Sequence, residues 1–158
     1  MNISTLWLLL SSAAVALMLG GGIYASVVIS PQWSSAPPGS FRIIQKSTGV
    51  PLRRFWIPVH FIITVVLIGA LVTNWKFPER RDLIIAALAS YIIMRLWSAL
   101  YFIPEMLRFQ KIPLEGEASA ELLARVSRWT MLTWFREPLD LITQFCLLIA
   151  LARPISGA

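Results

Sequence analysis

The side chains that could do chemistry in this chain lie inside long apolar stretches. His60, the single histidine, and Arg95 each stand within one such stretch. A third stretch begins with the charged residues Arg136, Glu137 and Asp140. A charge at the centre of a bilayer costs roughly 2.5–3.5 kcal/mol on insertion scales, so these residues should face a protein interior and find partners there.

Helical spacing places several of these residues on shared faces. Arg136, Asp140 and Gln144 are four residues apart, so they lie on one side of a helix. Tyr91 and Arg95 have the same spacing. Because consecutive spans cross the membrane in opposite directions, the rise of 1.5 Å per residue puts them all in the inner half of one bundle, with the histidine. Three helices therefore contribute polar groups to one region.

The expected contact within this region joins Arg95 on one helix to Asp140 or Glu137 on another. Such groups could be buried salt bridges and hydrogen bonds that fix helix register. They could instead form a polar pocket for a small ligand, or lie near the lipid headgroups. For the pocket, the ligand-binding candidates are Tyr24, Tyr91, Trp97, Tyr101, Glu105, Glu137, Asp140 and Gln144.

The residue types limit the chemistry of such a pocket. One histidine excludes a di-iron carboxylate bundle with two Glu-x-x-His motifs, and zinc favours three or more His, Cys or carboxylate ligands. We therefore predict no metal and no other cofactor. Proton abstraction needs only a base close to an acidic proton, which His60 could supply. Arg95 and Arg136 could stabilise the developing negative charge, so these three are the catalytic candidates.

The composition indicates that lipid is the solvent for most of this chain. Of the 158 residues, 57% are hydrophobic and 14% charged, whereas a soluble domain carries roughly 25% charged residues. The net charge of +6 arises from Lys and Arg placed between apolar stretches, as in membrane flanks, and not along one polar face. This pattern favours contact with anionic lipid headgroups and argues against nucleic acid.

We predict an all-α fold, an integral membrane bundle of four transmembrane helices in a single domain, 1–158. Spans are expected at about 5–29, 55–75, 83–103 and 129–152, since a crossing needs about 20 mostly apolar residues. No basic residue precedes the first, so we expect a retained span and not a signal peptide. In the fourth span, the segment from Pro138 to the end is too short to cross a membrane alone. It reaches spanning length if the helix begins at Trp129, which brings three charges to membrane depth.

Two shorter amphipathic segments are expected outside the spans, at about 40–48 and 119–128. The first would lay Phe41, Ile43 and Ile44 against the membrane. The second would be capped by Ser119 and run on into the fourth span. In the first span, Gly22 and Ser26 form a small-xxx-small pair that permits close helix approach, with Tyr24 directed into the same space.

Basic residues near the span ends predict the orientation. The loops 30–54 and 104–128 hold eight Lys and Arg residues, against four on the opposite side. We therefore expect these loops in the cytoplasm and both termini outside, in the plasma (inner) membrane. The eight are Arg42, Lys46, Arg53, Arg54, Arg108, Lys111, Arg125 and Arg128; the four are Lys76, Arg80, Arg81 and Arg153.

Four segments carry a resemblance to a known family: IYASVVISPQW (23–33), FRIIQKSTGVPLRRFWIPVHF (41–61), YFIPE (101–105) and RWTMLTWFRE (128–137). The chain resembles the DUF1772 family of small four-helix membrane proteins, which includes anthrone oxygenase-like proteins. Members often have an Asn near the position of Thr133. The resemblance implies oxygenation of an anthrone to an anthraquinone without a metal or flavin.

Three functions stay open at this point. The first is a cofactor-independent oxygenase, or a related enzyme, that acts on a flat, lipophilic, acidic aromatic molecule. The second is a non-enzymatic membrane module that binds or carries a lipophile or supports a partner protein, and a homo-oligomer would compensate for its few helices. The third is a proton or ion pathway through an oligomer. Membrane lipid is the partner common to all three.

Overall fold

A computed structural model describes residues 2–154, and within that range every regular element is helical, with no strand. In chain order the elements are α1 (Ile3–Tyr24), a π-helical segment (Ala25–Ile29), α2 (Ser30–Ser34), a 3₁₀ helix (Gly39–Ile44), α3 (Arg53–Thr73), α4 (Pro78–Trp97), a second π-helical segment (Ser98–Phe102), α5 (Ile103–Phe109) and α6 (Ala120–Ala152). The all-α prediction is confirmed.

Three helical stretches are long and apolar enough to cross a membrane by length and composition. They are Ile3–Ser34, Arg53–Thr73 and Pro78–Phe109, with mean hydropathies of 2.0, 2.4 and 1.9. Helix α6 has 33 residues and is therefore about 50 Å long. Because it carries three closely spaced charges, beginning at Arg136, α6 is not among the helices that are apolar enough to span a membrane. Three candidate spans are thus established, and the fourth stays a prediction.

Two of the spanning stretches are longer than the sequence indicated. The first extends to Ser34 instead of 29, and the third occupies 78–109 instead of 83–103. In both cases a π-helical segment joins two α-helices without ending the helix. The prolines Pro31 and Pro104 lie in the first turns of α2 and α5, where a missing N–H is tolerated.

Side chains cap two of the long helices. The Asn2 side chain accepts a hydrogen bond from the Thr5 amide at 2.9 Å, and Ser119 Oγ accepts one from the Leu122 amide at 3.1 Å. The predicted Ser119 cap is therefore confirmed. Helix α6 runs without interruption from this cap through 119–128 and past Pro138, as expected for a segment continuous with the fourth stretch.

Helix α6 lies at the centre of the packing. It packs along α4 on one side and α1 on the other, α1 also packs along α3, and α3 touches α4 least. Hydroxyl groups bridge the closest approaches. Ser90 Oγ donates to the Leu139 carbonyl at 2.8 Å, and Ser11 Oγ donates to the Val66 carbonyl at 2.9 Å. Such small polar residues allow helix backbones to approach closely in lipid.

An aromatic cluster closes the end of the bundle where the longer loops lie. Phe41 is fully buried between Trp33 and Phe109, at ring-centroid distances of 6.0 and 5.5 Å. The prediction of an amphipathic helix at 40–48 is wrong: Gly39–Ile44 is a 3₁₀ helix, and its Phe41 and Ile44 are buried. The aromatic side chains offered by the flanking helices, and not lipid, cover this apolar face.

An arginine closes the opposite end of the bundle. Arg80 is buried and donates from Nε and Nη2 to the carbonyl of Arg153, at 2.9 and 2.7 Å, directly after α6 ends. Its Nη1 donates to Thr5 Oγ1 at 3.2 Å, and Asn74 Nδ2 donates to the Ser4 carbonyl at 3.1 Å. The positive charge lies at the negative end of the α6 dipole, which it stabilises.

We expect Arg80→Ala to lower the stability of the folded protein in detergent. Loss of the charged hydrogen bonds leaves the α6 terminus unsatisfied, which costs about 2 kcal/mol, or roughly 4–8 °C in melting temperature for a domain of this size. Melting is followed by circular dichroism. The matched control is Arg81→Ala, since Arg81 pairs with its exposed neighbour Asp82. Equal melting temperatures for the two variants would contradict the role of Arg80.

Candidate functional site

Polar side chains from three helices meet in one half of the bundle. His60 lies on α3, Arg95 on α4 and Arg136 on α6, and all three are half-buried. Both arginines are close enough to His60 for their charges to act on its ring. The three residues predicted as catalytic candidates are therefore brought together, although their roles stay a prediction.

The His60 ring is held by aromatic and hydroxyl neighbours. Tyr91 Oη lies 3.3 Å from Nδ1 and donates to the His60 carbonyl at 3.0 Å, while the ring stacks on Trp56 with centroids 5.7 Å apart. Thr64 Oγ1 also donates to this carbonyl, at 2.8 Å. With the Tyr91 hydrogen directed to the carbonyl, Nδ1 is assigned as the donor to Tyr91, which leaves Nε2 as the basic nitrogen.

The two arginines of the site have no acidic partner. Arg136 Nη1 donates to Ser98 Oγ at 3.3 Å, and its Cζ lies 4.8 Å from the centroid of the Phe102 ring. Arg136 Nε has no partner, and Arg95 makes no hydrogen bond to any residue in 2–154. Within that range, neither guanidinium lies within 4.0 Å of a carboxylate.

The predicted pairing of Arg95 with Asp140 or Glu137 is therefore wrong. The reason is the direction in which an acidic side chain of α6 points. Glu137 faces α1, where a Cβ built on Gly22 would stand 3.1 Å from Oε2. Arg95 lies on α4, on the other side of α6. The predicted close approach at Gly22 is confirmed, and the group that occupies the space is a carboxylate.

The acids form a row of buried oxygens along α6. Glu137 and Asp140 are only 7% and 6% exposed, and both oxygens of Glu137 and Oδ1 of Asp140 lack a partner in the part of the chain described. Gln144 donates from Nε2 to Ser12 Oγ at 2.9 Å, yet its Oε1 is also unpartnered. An unsatisfied buried polar group costs about 1–3 kcal/mol, so this row calls for a bound proton, water or ligand.

The predicted aromatic lining is only partly assembled. Tyr91 contacts the His60 ring, whereas Tyr24 is 58% exposed and does not point into the space beside Gly22. Tyr24 stands on the outer face of α1, so that prediction is wrong. Trp97 and Tyr101 are half-buried and pack on Phe102, at centroid distances of 5.6 and 5.1 Å. They adjoin the Arg136 side of the site.

Glu105 belongs to a different cluster. Its carboxylate accepts hydrogen bonds from Arg125 Nε at 2.6 Å and from Arg108 Nη1 at 3.1 Å. The Arg125 guanidinium also lies over the Phe109 ring, 5.4 Å from its centroid. The hydrogen bond to Glu105 holds the pKa of Arg125 above its ordinary value. Glu105 thus joins α5 to α6, in a structural role that its sequence position did not reveal.

The sequence did not indicate that two serines would lie beside the adjacent charges of α6. Ser98 of the second π-helical segment contacts Arg136, and Ser26 of the first lies beside Glu137. Ser26 was expected only to allow close packing together with Gly22, and a π-helical segment leaves no residue signature. π-Helical turns of this kind occur frequently at functional sites.

No group of three or more His, Cys, Asp and Glu side chains that could hold a metal ion occurs in the described residues.

Comparison with known proteins does not identify the function of this site. No family model, no curated protein and no solved structure matches the chain. The resemblance to the DUF1772 family stays a prediction, and the chemistry of the site rests on its own geometry.

Proposed function

We propose that the chain is a four-helix membrane protein whose inner half binds a lipophilic small molecule bearing an acidic group. Helix α6 would be the fourth span, with loops 30–54 and 104–128 in the cytoplasm and both termini outside, in the inner membrane. Its length and its place between α1 and α4 support this. So does its exposed apolar surface, formed by Phe135, Leu141, Ile142, Phe145, Leu148 and Ile149.

The observation that carries the binding proposal is the pair of arginines without acidic partners. Arg95 and Arg136 bring two positive charges beside His60. In an apolar interior such charges need anionic partners, and a guanidinium forms its strongest hydrogen bonds with ionised oxygens. An enolate, phenolate or carboxylate of a ligand would satisfy both. Neutral lipophiles would leave them unpaired.

The packing supports entry from the lipid. Among the neighbouring long helices, α3 and α4 have the smallest contact, and His60 and Tyr91 face each other across it. Trp56 and Tyr91 present aromatic rings on either side of the histidine. Flat aromatic ligands pack favourably on such rings through offset or edge-to-face contacts. A planar, acidic aromatic molecule therefore fits the chemistry of the side chains at this contact better than a flexible lipid chain does.

His60 adds a catalytic form of the same proposal. With Nε2 as the free base, it would remove a proton from the acidic methylene of an anthrone, and the arginines would stabilise the resulting enolate. Dioxygen then oxidises this carbon. One of its oxygen atoms becomes the new quinone carbonyl, and the other leaves as water with the two methylene hydrogens. The only oxidant required is dioxygen, which dissolves readily in lipid.

The alternative is a non-enzymatic module that uses the same site. Binding of the ligand without turnover would favour this alternative. Such a module would hold or carry the lipophile, or support a partner protein. Membrane lipid surrounds it in either case. A homo-oligomer would supply the further helices that carriage across a membrane needs. The two forms share the ligand and differ only in whether His60 accepts a proton.

We expect anthrone to quench the fluorescence of Trp56 in oxygen-free nanodiscs, because Trp56 stacks on the ring that the ligand would approach. Arg95→Gln should weaken binding about tenfold or more, the equivalent of one charged hydrogen bond. Arg53→Gln, an exposed substitution on the same α3, is the matched control for loss of charge. Anthracene, which has no oxygen, should not compete.

Quenching that persists in Trp56→Phe would place the ligand elsewhere. An unchanged affinity in both Arg95→Gln and Arg136→Gln would contradict the binding proposal.

In air, we expect purified protein to convert anthrone to anthraquinone, followed by the absorbance of the quinone. His60→Ala should lower the rate by about 10²–10⁴, the usual contribution of a general base. Arg53→Gln again serves as the control and should retain the full rate. A full rate in His60→Ala would refute the base assignment. Saturable binding without any quinone would instead support the non-enzymatic module.

A further inference from the structure

A groove lined by hydroxyl groups runs between the first helical stretch and α6, apart from the His60 site. It has a volume of about 210 Å³. Its polar lining consists of Ser26, Ser30, Ser34, Thr130 and Thr133, and Pro31 and Trp134 complete the wall. The three serines are four residues apart, and the two threonines are three apart, so each set follows one helix face.

The hydroxyl hydrogens of this groove are directed mostly to backbone carbonyls. Ser34 Oγ donates to the Ser30 carbonyl at 2.7 Å, and Thr133 Oγ1 donates to the Trp129 carbonyl at 3.0 Å. Thr130 Oγ1 donates to the Ser127 carbonyl at 2.9 Å. A hydroxyl that donates to its own helix keeps its lone pairs free. The groove therefore offers acceptors, which suit cations, water or protonated groups.

Glu137 is not part of the groove wall but adjoins two residues that are, Ser26 and Thr133. It follows Thr133 by one helical turn, and its carboxylate is packed against Gly22 and beside Ser26. The Ser26 hydroxyl is near enough to act on the Glu137 carboxylate, but within the described residues neither Glu137 oxygen nor Ser26 Oγ forms a hydrogen bond of regular geometry. The neighbouring guanidinium of Arg136 is held by Ser98 on the opposite side of α6, and across 2–154 Glu137 has no basic nitrogen within 4.0 Å.

An ionised carboxylate cannot stay buried in this way without a positive partner, since isolated buried charges are neutralised. The oxygens of Asp140 and Gln144 extend the same acceptor row beyond Glu137, over about 10 Å of helix. The charge of Arg136 acts on both carboxylates, but its guanidinium is directed to Ser98 and makes no direct contact with their oxygens. A bound proton or cation would supply the contact that these oxygens lack.

We propose that Glu137 is an exchangeable cation site, loaded through the Ser/Thr groove and occupied by a proton or by a small monovalent metal ion such as Na⁺. Both cations satisfy the same carboxylate and Ser26 oxygens, and the hydroxyl lining carries them from the membrane edge. The site goes beyond the ligand pocket, because Glu137 faces α1 and not His60. It would let the protein respond to pH or to sodium.

Dicyclohexylcarbodiimide tests this site, because it is lipophilic and adds to protonated carboxyl groups in apolar surroundings. In sodium-free choline buffer we expect one adduct, located on Glu137 by peptide mass spectrometry, with labelling that increases as the pH is lowered. Glu137→Gln should abolish the adduct. Glu105→Gln should retain it, since Glu105 is held as a carboxylate by two arginines.

The bound cation is identified by adding Na⁺ or K⁺ at constant ionic strength. Protection from labelling by Na⁺ but not K⁺ identifies a sodium site. Equal labelling in all three salts, with the same pH dependence, identifies a proton site. The proposal is overturned if the adduct lies on Asp140, if Glu137→Gln labels as fast as the unaltered protein, or if no adduct forms in choline at any pH.

Further variants distinguish slower access through the groove from a loss of protein stability. Thr133→Val, which keeps the shape and removes the hydroxyl, should slow Glu137 labelling about tenfold, while Ser35→Ala, outside the groove, should not change it. Glu137→Gln should melt at least as high as the unaltered protein, because it removes a buried charge that has no protein partner. Labelling of Thr133→Val at the same rate as Ser35→Ala, or faster, would exclude the groove as the route.

Discussion

The arrangement of the bundle depends on three charges carried by α6 through an apolar interior. Successive residues of a helix point about 100° apart, so Arg136 and Glu137 cannot face the same neighbour. Arg136 turns to Ser98 and Phe102 on the α4 side, and Glu137 turns to Gly22 on α1. One helix thus directs a positive side chain towards α4 and a negative one towards α1.

The rest of the structure holds α6 in place without neutralising these charges. Hydroxyl groups such as Ser90 and Thr143 bond the backbones of α4 and α6 together, and they bring no charge of their own. The two ends are closed by different means, the aromatic cluster around Phe41 at one and Arg80 at the other. The ends and the apolar core therefore supply the contacts that hold the helices together, while several polar atoms of the charged middle have no partner in the described residues.

Periodicity and composition were enough to predict the helical class, the Ser119 cap and the gathering of His60, Arg95 and Arg136. They were not enough to predict that Arg95 would meet neither Asp140 nor Glu137. Spacing along a chain defines the face of a helix, but the rotation of α4 against α6 depends on side-chain packing between them. The 3₁₀ helix at Gly39–Ile44 escaped prediction for a similar reason, since its aromatic partners come from segments distant in sequence.

The two π-helical segments lie beside the charged part of α6. Each adds a residue to a helical turn, and each places a serine beside one of the adjacent charges: Ser98 beside Arg136, and Ser26 beside Glu137. Trp129 then donates to the carbonyl of Phe102, inside the second segment, at 3.2 Å. The departure from α-helical geometry therefore coincides, in both helical stretches, with the level at which α6 carries its adjacent charges.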